Sequence, residues 1–185
     1  MNSDFYIRAC LQQAKPRLST LLKLMFSEAL AFGQKTLWLG SVIELIAPLG
    51  YPERTIRTAL SRLAARGIVQ IERHGRRGLC RLTQAAAEAM LAQRQHLNTP
   101  PFHGAAAAAY APFQQCFQPL RQLLNHRDAF SDEQAYMVRL LVIHGYQQYR
   151  QRALQPAPAD HQTYVALYAG CATQAQRHTL TRLQA

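Results

Sequence analysis

Carboxylates are scarce in this sequence: 10 Asp and Glu stand against 21 Lys and Arg, for a formal net charge of +11 over 185 residues. None of the ten is paired in an obvious site. The seven histidines are scattered, and neither a Gly-rich phosphate loop nor a Gly-x-Ser-x-Gly elbow occurs, so no catalytic residue and no cofactor is expected. Cysteine is sparse as well. Cys10, Cys80, Cys116 and Cys171 lie far apart with no Cys-x-x-Cys and no histidine at ligand spacing, which predicts no metal centre and four ordinary small apolar side chains. Long apolar runs are missing too. None approaches the ~18 residues of a membrane span, and the first residues, Met1 to Gln13, hold no signal-peptide core, so a cytoplasmic protein without a membrane partner is expected.

What the sequence does have is positive charge, and a protein this basic is drawn to polyanions. The charge is uneven. Residues 1–96 carry 14 basic and 6 acidic side chains, net +8, whereas residues 97–185 carry 7 and 4, net +3. Between the halves, Pro100 and Pro101 follow an alanine-rich helical stretch and stop it. The expected organisation is a nucleic-acid-binding domain over 1–96, a linker over 97–104 and a helical domain over 105–185.

In the first half, Leu18, Leu21, Leu22, Met25, Phe26 and Ala29 follow the helical period from Arg17 to about Leu30. Thr36 to Leu39 is a short β-prone run, and Ser41 with Glu44 has capping-box spacing for a second helix that ends at Pro48-Leu49-Gly50. Pro52 suits a first helical position, and Ile56, Leu60 and Leu63 mark the buried face of a third helix up to Gly67. Two helices separated by so short a turn have helix-turn-helix spacing.

Turning the third helix by 100° per residue sets Arg54, Thr58, Ser61 and Ala65 opposite the buried stripe, with Thr55, Arg57 and Arg62 on its flanks. A solvated helix face ordinarily alternates charge sign; this one carries no carboxylate after Glu53. Beyond it, Ile68–Ile71 and Leu79–Leu82 are β-prone runs joined by a segment with Gly75 and Gly78, which predicts a two-stranded hairpin. Arg73, Arg76, Arg77 and Arg81 make that hairpin basic, as a wing that reaches phosphates or the minor groove would be. The expected fold is mainly α: an N-terminal winged helix-turn-helix with a two-stranded wing, then a C-terminal α-helical domain. Its expected contacts with double-stranded DNA are Arg54, Thr55, Arg57, Thr58, Ser61, Arg62, Arg73, Arg76 and Arg77. A non-specific architectural or RNA-binding protein would use the same surface.

The run Trp38 to Gly50, then Glu53 to Leu63, then Gly75-Arg76-Arg77 and Arg81-Leu82-Thr83 resemble the winged-helix domain of the PaaX-type repressors of phenylacetate catabolism, over about residues 17–84. The resemblance implies a bacterial transcriptional regulator, associated with the nucleoid and usually dimeric, that blocks a promoter and is released by phenylacetyl-CoA.

In the second half, a helix-prone stretch over 105–124 contains Pro112 and Pro119, and Ser131 to Gln134 is a second capping box. The helix it opens has Ala135, Val138, Val142, Tyr146 and Tyr149 on one stripe, with Met137, Leu140 and Leu141 off it. A last helix with Tyr164, Tyr168, Cys171 and Ala175 follows Pro158. About three helices make too small a core alone, which predicts packing across the two-fold axis of a homodimer. Val142 to Tyr146 is similar to a His-Glu-Tyr-Arg-Arg segment of the same family. By that resemblance an acyl-CoA effector would be met by Arg139, His144, Tyr146, Arg150 and Tyr164. Gly145, Gln147 and Gln148 stand at the family's charged positions, and a short linker replaces its usual middle domain, so any effector pocket is expected to be altered.

Overall fold

The structure, a computed structural model, describes residues 3–98, 110–126, 129–152 and 157–184. Most of the expected linker and the alanine run Ala105–Ala109 lie outside the described residues. Contacts divide the chain into two units: a helical unit of Met1–Pro16 with His96–His178, and a basic unit of Arg17–Gln95 with Thr179–Ala185. The basic unit holds 13 Lys and Arg against 5 Asp and Glu, net +8, and the helical unit the remaining +3.

The basic unit opens with α2 (Leu18–Ala31), whose Leu21, Leu22, Met25, Phe26 and Ala29 are buried as the helical period requires. Strand β1 (Thr36–Trp38) leads into α3 (Leu39–Ile46) and a single 3-10 turn, Ala47–Leu49. Gly50, at φ 87°, ends that turn in the left-handed region and lets α4 (Glu53–Ala65) start three residues later. Ile56, Leu60 and Leu63 bury one face of α4. The helix stops in a Schellman arrangement, in which Gly67 at φ 65° donates to the Ala64 carbonyl and Ile68 to that of Leu63. Strands β2 (Val69–His74) and β3 (Arg77–Leu82) form an antiparallel hairpin. The β-prone run at Thr36–Leu39 becomes β1 and adds to the hairpin's other edge, Leu37 opposite Cys80, so the sheet has three strands in the order β1-β3-β2. Burial pushes the Cys80 thiol up to about 11. Helix α5 (Gln84–Asn98) closes the unit by placing Arg94 2.7 Å from the buried carboxylate of Glu28 on α2.

The capping box expected at Ser41 does not form. α3 starts two residues earlier, at Leu39, so Ser41 is already inside the helix and uses its hydroxyl on the Arg182 carbonyl, 2.7 Å away.

In the helical unit, α1 (Ser3–Ala14) packs on α6 (Ala111–Leu123) and α7 (Asp132–Arg152), and α8 (Pro158–Gly170) packs on both of the latter. Residues 3–16 thus belong with the bundle rather than with the elements that follow them, because Ile7 and Cys10 bury there. The second capping box forms as expected: Ser131 N–H donates to Gln134 Oε1 at 2.9 Å, and Gln134 N–H to Ser131 Oγ at 3.2 Å. The stripe of α7 is buried, and so are Met137, Leu140 and Leu141. Three neighbouring helices cover them within one chain, so the surplus apolar surface expected to face a second subunit is absent from α7. The single last helix expected after Pro158 is two, α8 and α9 (Ala172–Gln184), with a break at Cys171 where Gly170 lies against Leu124.

The cysteine expectation is also corrected. Cys10 of α1 and Cys116 of α6 meet as a disulfide pair, with Cα atoms 5.2 Å apart across 106 residues of sequence. Cys80 and Cys171 are the buried apolar thiols that were expected, and burial pushes Cys171 up to about 12.

Candidate nucleic-acid interface

The sequence of α4 separates its two faces cleanly. With Ile56, Leu60 and Leu63 committed to the core, Arg54, Thr55, Arg57, Thr58, Ser61 and Arg62 are all exposed. Arg57 Nε donates to Glu53 Oε1 at 2.7 Å, so the one carboxylate of this face holds the guanidinium on the helix surface. Thr58 Oγ1 donates to the Arg54 carbonyl at 2.9 Å and Ser61 Oγ to that of Arg57 at 3.1 Å, which leaves their lone pairs outward as acceptors.

Two clefts flank this face. One, of about 580 Å³, lies between α4 and the first turn of α2, where Arg54, Arg62 and Arg66 meet Ser19, Thr55 and Thr58. The other runs past Glu53, Arg57 and Ser61 on the opposite flank. Arg66 went unnamed in the sequence reading although its signal was available. It continues the spacing Arg54, Thr58, Arg62 by one further turn of four residues.

The hairpin contributes unequally. Its strands run to His74 and from Arg77, so the turn is only Gly75-Arg76, with Gly75 at φ 60° in the first central position. Gly78 is therefore a strand residue, not a tip residue. A Cβ there would make ordinary van der Waals contact with Leu39 of α3, at 3.4 Å. Strand alternation sets Arg77 on the sheet face that carries Trp38 and His74, its guanidinium 5.9 Å from the centre of the Trp38 ring. Arg76 and Arg77 line a third cleft, of about 320 Å³, together with Trp38 and Arg57. Arg73, paired in register with Gly78, is exposed on the opposite face of the hairpin from Arg77. Arg76 and Arg77 thus share a cleft, and Arg73 lies apart from them.

The five residues suggested for an effector lie in the helical unit, where they take different settings. Arg139 is buried, its guanidinium 3.8 Å from the Tyr168 ring centre and donating to the Tyr168 carbonyl. Tyr146 and Tyr164 stack at 4.4 Å inside the core, and Tyr146 Oη lies 2.8 Å from His161 Nδ1. Burial pushes the Tyr146 phenol up to about 12. Arg150 donates to the His96 carbonyl at 2.8 Å, and its guanidinium is 5.9 Å from the Tyr146 ring centre. His144 lines a cavity of about 140 Å³ that it shares with Gln13, Tyr110, Gln148 and Arg152. That volume is below the several hundred Å³ of a site for a drug-sized ligand, let alone an acyl-CoA. Among the described residues no group of His, Cys, Asp or Glu could hold a metal ion, and no helix is long and apolar enough to cross a membrane.

Comparison with known proteins converges on the basic unit. Residues 18–86 match the sequence model of the family described as PaaX-like protein. Over 80 residues the chain is 31% identical to the transcriptional repressor PaaX of Escherichia coli (strain K12), a match that covers 43% of this chain and 25% of that repressor. The chain therefore spans about a quarter of that relative's length. The matched segment begins at the first residue of α2 and ends in the first turn of α5, so it takes in α3, α4 and the whole hairpin. The stretch that carries the exposed arginines of α4 and of the hairpin lies within the segment that is similar to the PaaX-like family.

Proposed function

We propose that this protein is a sequence-specific DNA-binding transcriptional regulator, a repressor of the PaaX type, and not an enzyme. The order α2-β1-α3-α4-β2-β3 supports reading the basic unit as a winged helix-turn-helix, with α4 as recognition helix and the β2–β3 hairpin as wing. The observation that carries the reading is the outer face of α4. It offers Arg54, Arg57 and Arg62 with three hydroxyls and a single carboxylate, on a unit of net +8. Arginine can pair with guanine O6 and N7, and hydroxyls can accept from or donate to bases and phosphates. Such a regulator acts on double-stranded DNA at a promoter, in the bacterial cytoplasm with the nucleoid.

A winged helix presents one recognition helix, and two half-sites read by a two-fold dimer give the usual specificity, so a homodimer belongs to this reading. The small cavity beside His144 and the core positions of Arg139, Tyr146 and Tyr164 favour an acyl-CoA response that is altered or lost. Selection of genomic fragments by the purified chain, read by sequencing, tests the function. One enriched inverted repeat with half-sites about 10 base pairs apart is expected, and uniform recovery of fragments, or a preference for RNA, would instead favour the architectural or RNA-binding reading.

A further inference from the structure

The last turns of α9, residues 179–184, belong to the basic unit although residues 96–178 separate them from the rest of it. Arg182 makes contacts with α3. The Ser41 hydroxyl on α3, 5% exposed, donates to the Arg182 carbonyl at 2.7 Å. Arg182 Nη1 reaches Glu44 Oε2, also on α3, at 3.4 Å. The backbone bond places the end of α9, and the side chain then enters the cleft that Trp38, Arg57, Arg76 and Arg77 already line. Four arginines line that cleft with the one carboxylate of Glu44, and Arg57 among them is also paired with Glu53.

Such a concentration of one sign is more than folding requires. An exposed ion pair at 3.4 Å adds little to stability, whereas a cleft lined by like charges focuses a field that attracts anions. A helix C-terminus is the negative end of its dipole and would repel a phosphate. Arg182 in the last turn reverses that local sign. The cleft adjoins both the exposed flank of α4, through Arg57, and the tip of the hairpin, through Arg76. A duplex lying along α4 and the wing carries one negative charge per roughly 1.7 Å of its axis and cannot avoid presenting a phosphodiester there.

We propose that Arg182 is a DNA-backbone contact, and that the C-terminal end of α9 is a working part of the nucleic-acid face, taking a phosphodiester together with Arg57, Arg76 and Arg77. This rests on the DNA-binding reading of the basic unit and adds to it a residue outside the PaaX-like segment.

The test is fluorescence anisotropy of the full chain on a 30-base-pair duplex of random sequence, titrated with salt. Arg182→Ala is expected to weaken binding three- to tenfold at low salt and to lower the slope of log K against log salt by about 0.9. Arg182→Lys should keep most of the affinity. Arg177→Ala removes an equal charge at an exposed arginine of the helical unit, paired with Asp132, and should change neither quantity. Glu44→Gln is expected to tighten binding, an effect that partial unfolding cannot imitate. Arg182→Ala matching Arg177→Ala, with no gain from Glu44→Gln, overturns the role of Arg182 while leaving the DNA-binding reading intact. An unaltered chain with no salt-dependent affinity for the duplex overturns that reading itself.

Discussion

Arg54 and Arg62 stand two turns apart on α4 and share one cleft, while Arg57 is tied to Glu53 on the other flank. Those different settings predict different behaviour. Arg62→Ala or Arg54→Ala at a base-reading position should cost about 1–3 kcal/mol on the selected site and little on random duplex, whereas loss of a phosphate contact should weaken both alike. Competition binding with the two duplexes separates the cases, and unchanged specific binding in the triple Arg54, Arg57, Arg62 alanine variant would remove α4 as reader. Gly145 makes the opposite kind of argument. Placed beside a family motif it looks like a lost charge, yet a Cβ there would lie 2.5 Å from Phe117, so the close approach of α7 to α6 admits no side chain. Gly→Ala inside a helix ordinarily stabilises by up to about 1 kcal/mol. Here overpacking reverses the sign, and Gly145→Ala is expected to destabilise by about 1–3 kcal/mol in a denaturant titration.

At the scale of elements, the helical unit carries its own pH dependence. Burial holds the imidazoles of His144 and His161 below their usual range, and Arg150 lowers His161 further. A histidine with a depressed native pKa binds more protons when unfolded. Its stabilising share is therefore complete above the unfolded value near 6.5 and declines as pH falls through that value towards the native one. The urea midpoint of the chain should drop between pH 7 and pH 5.5, and replacing both residues with Gln should flatten the drop; a midpoint that rises on acidification contradicts this.

Elements with a strong period or a strong stop were legible in the sequence. α2 and α4 follow from their apolar spacing, the turn between α3 and α4 from Gly50 and Pro52, and the start of α7 from Ser131 and Gln134. α1 was not legible, because only Ile7 and Cys10 bury and Phe5 stays 65% exposed, too weak a stripe to read without the bundle it joins. A hairpin turn read from two glycines is too wide, because Gly78 lies in β3 opposite Arg73. The exposed face of α4 was legible because charge and period coincide there. Arg182 and the Cys10–Cys116 pair were not, since each depends on contacts across 106 or more residues that no local pattern encodes.

For the whole molecule, the charge imbalance is the property from which the function follows. Most of the +8 of the basic unit sits on the α4 face, the hairpin and the end of α9, and with roughly 5 phosphates neutralised the slope of log K against log salt should be near −4 to −5. Electrostatics alone gives affinity without choice of sequence, so the central claim is the choice. The measurement that tests it most directly is the ratio of affinities of the full chain for its selected duplex and for a random duplex of equal length, with the same sequence as RNA alongside, at physiological salt. A ratio of about a thousandfold or more, collapsing towards one when Arg54, Arg57 and Arg62 are all alanine, is the result expected. A ratio near one in the unaltered chain, or RNA bound as well as DNA, would contradict it.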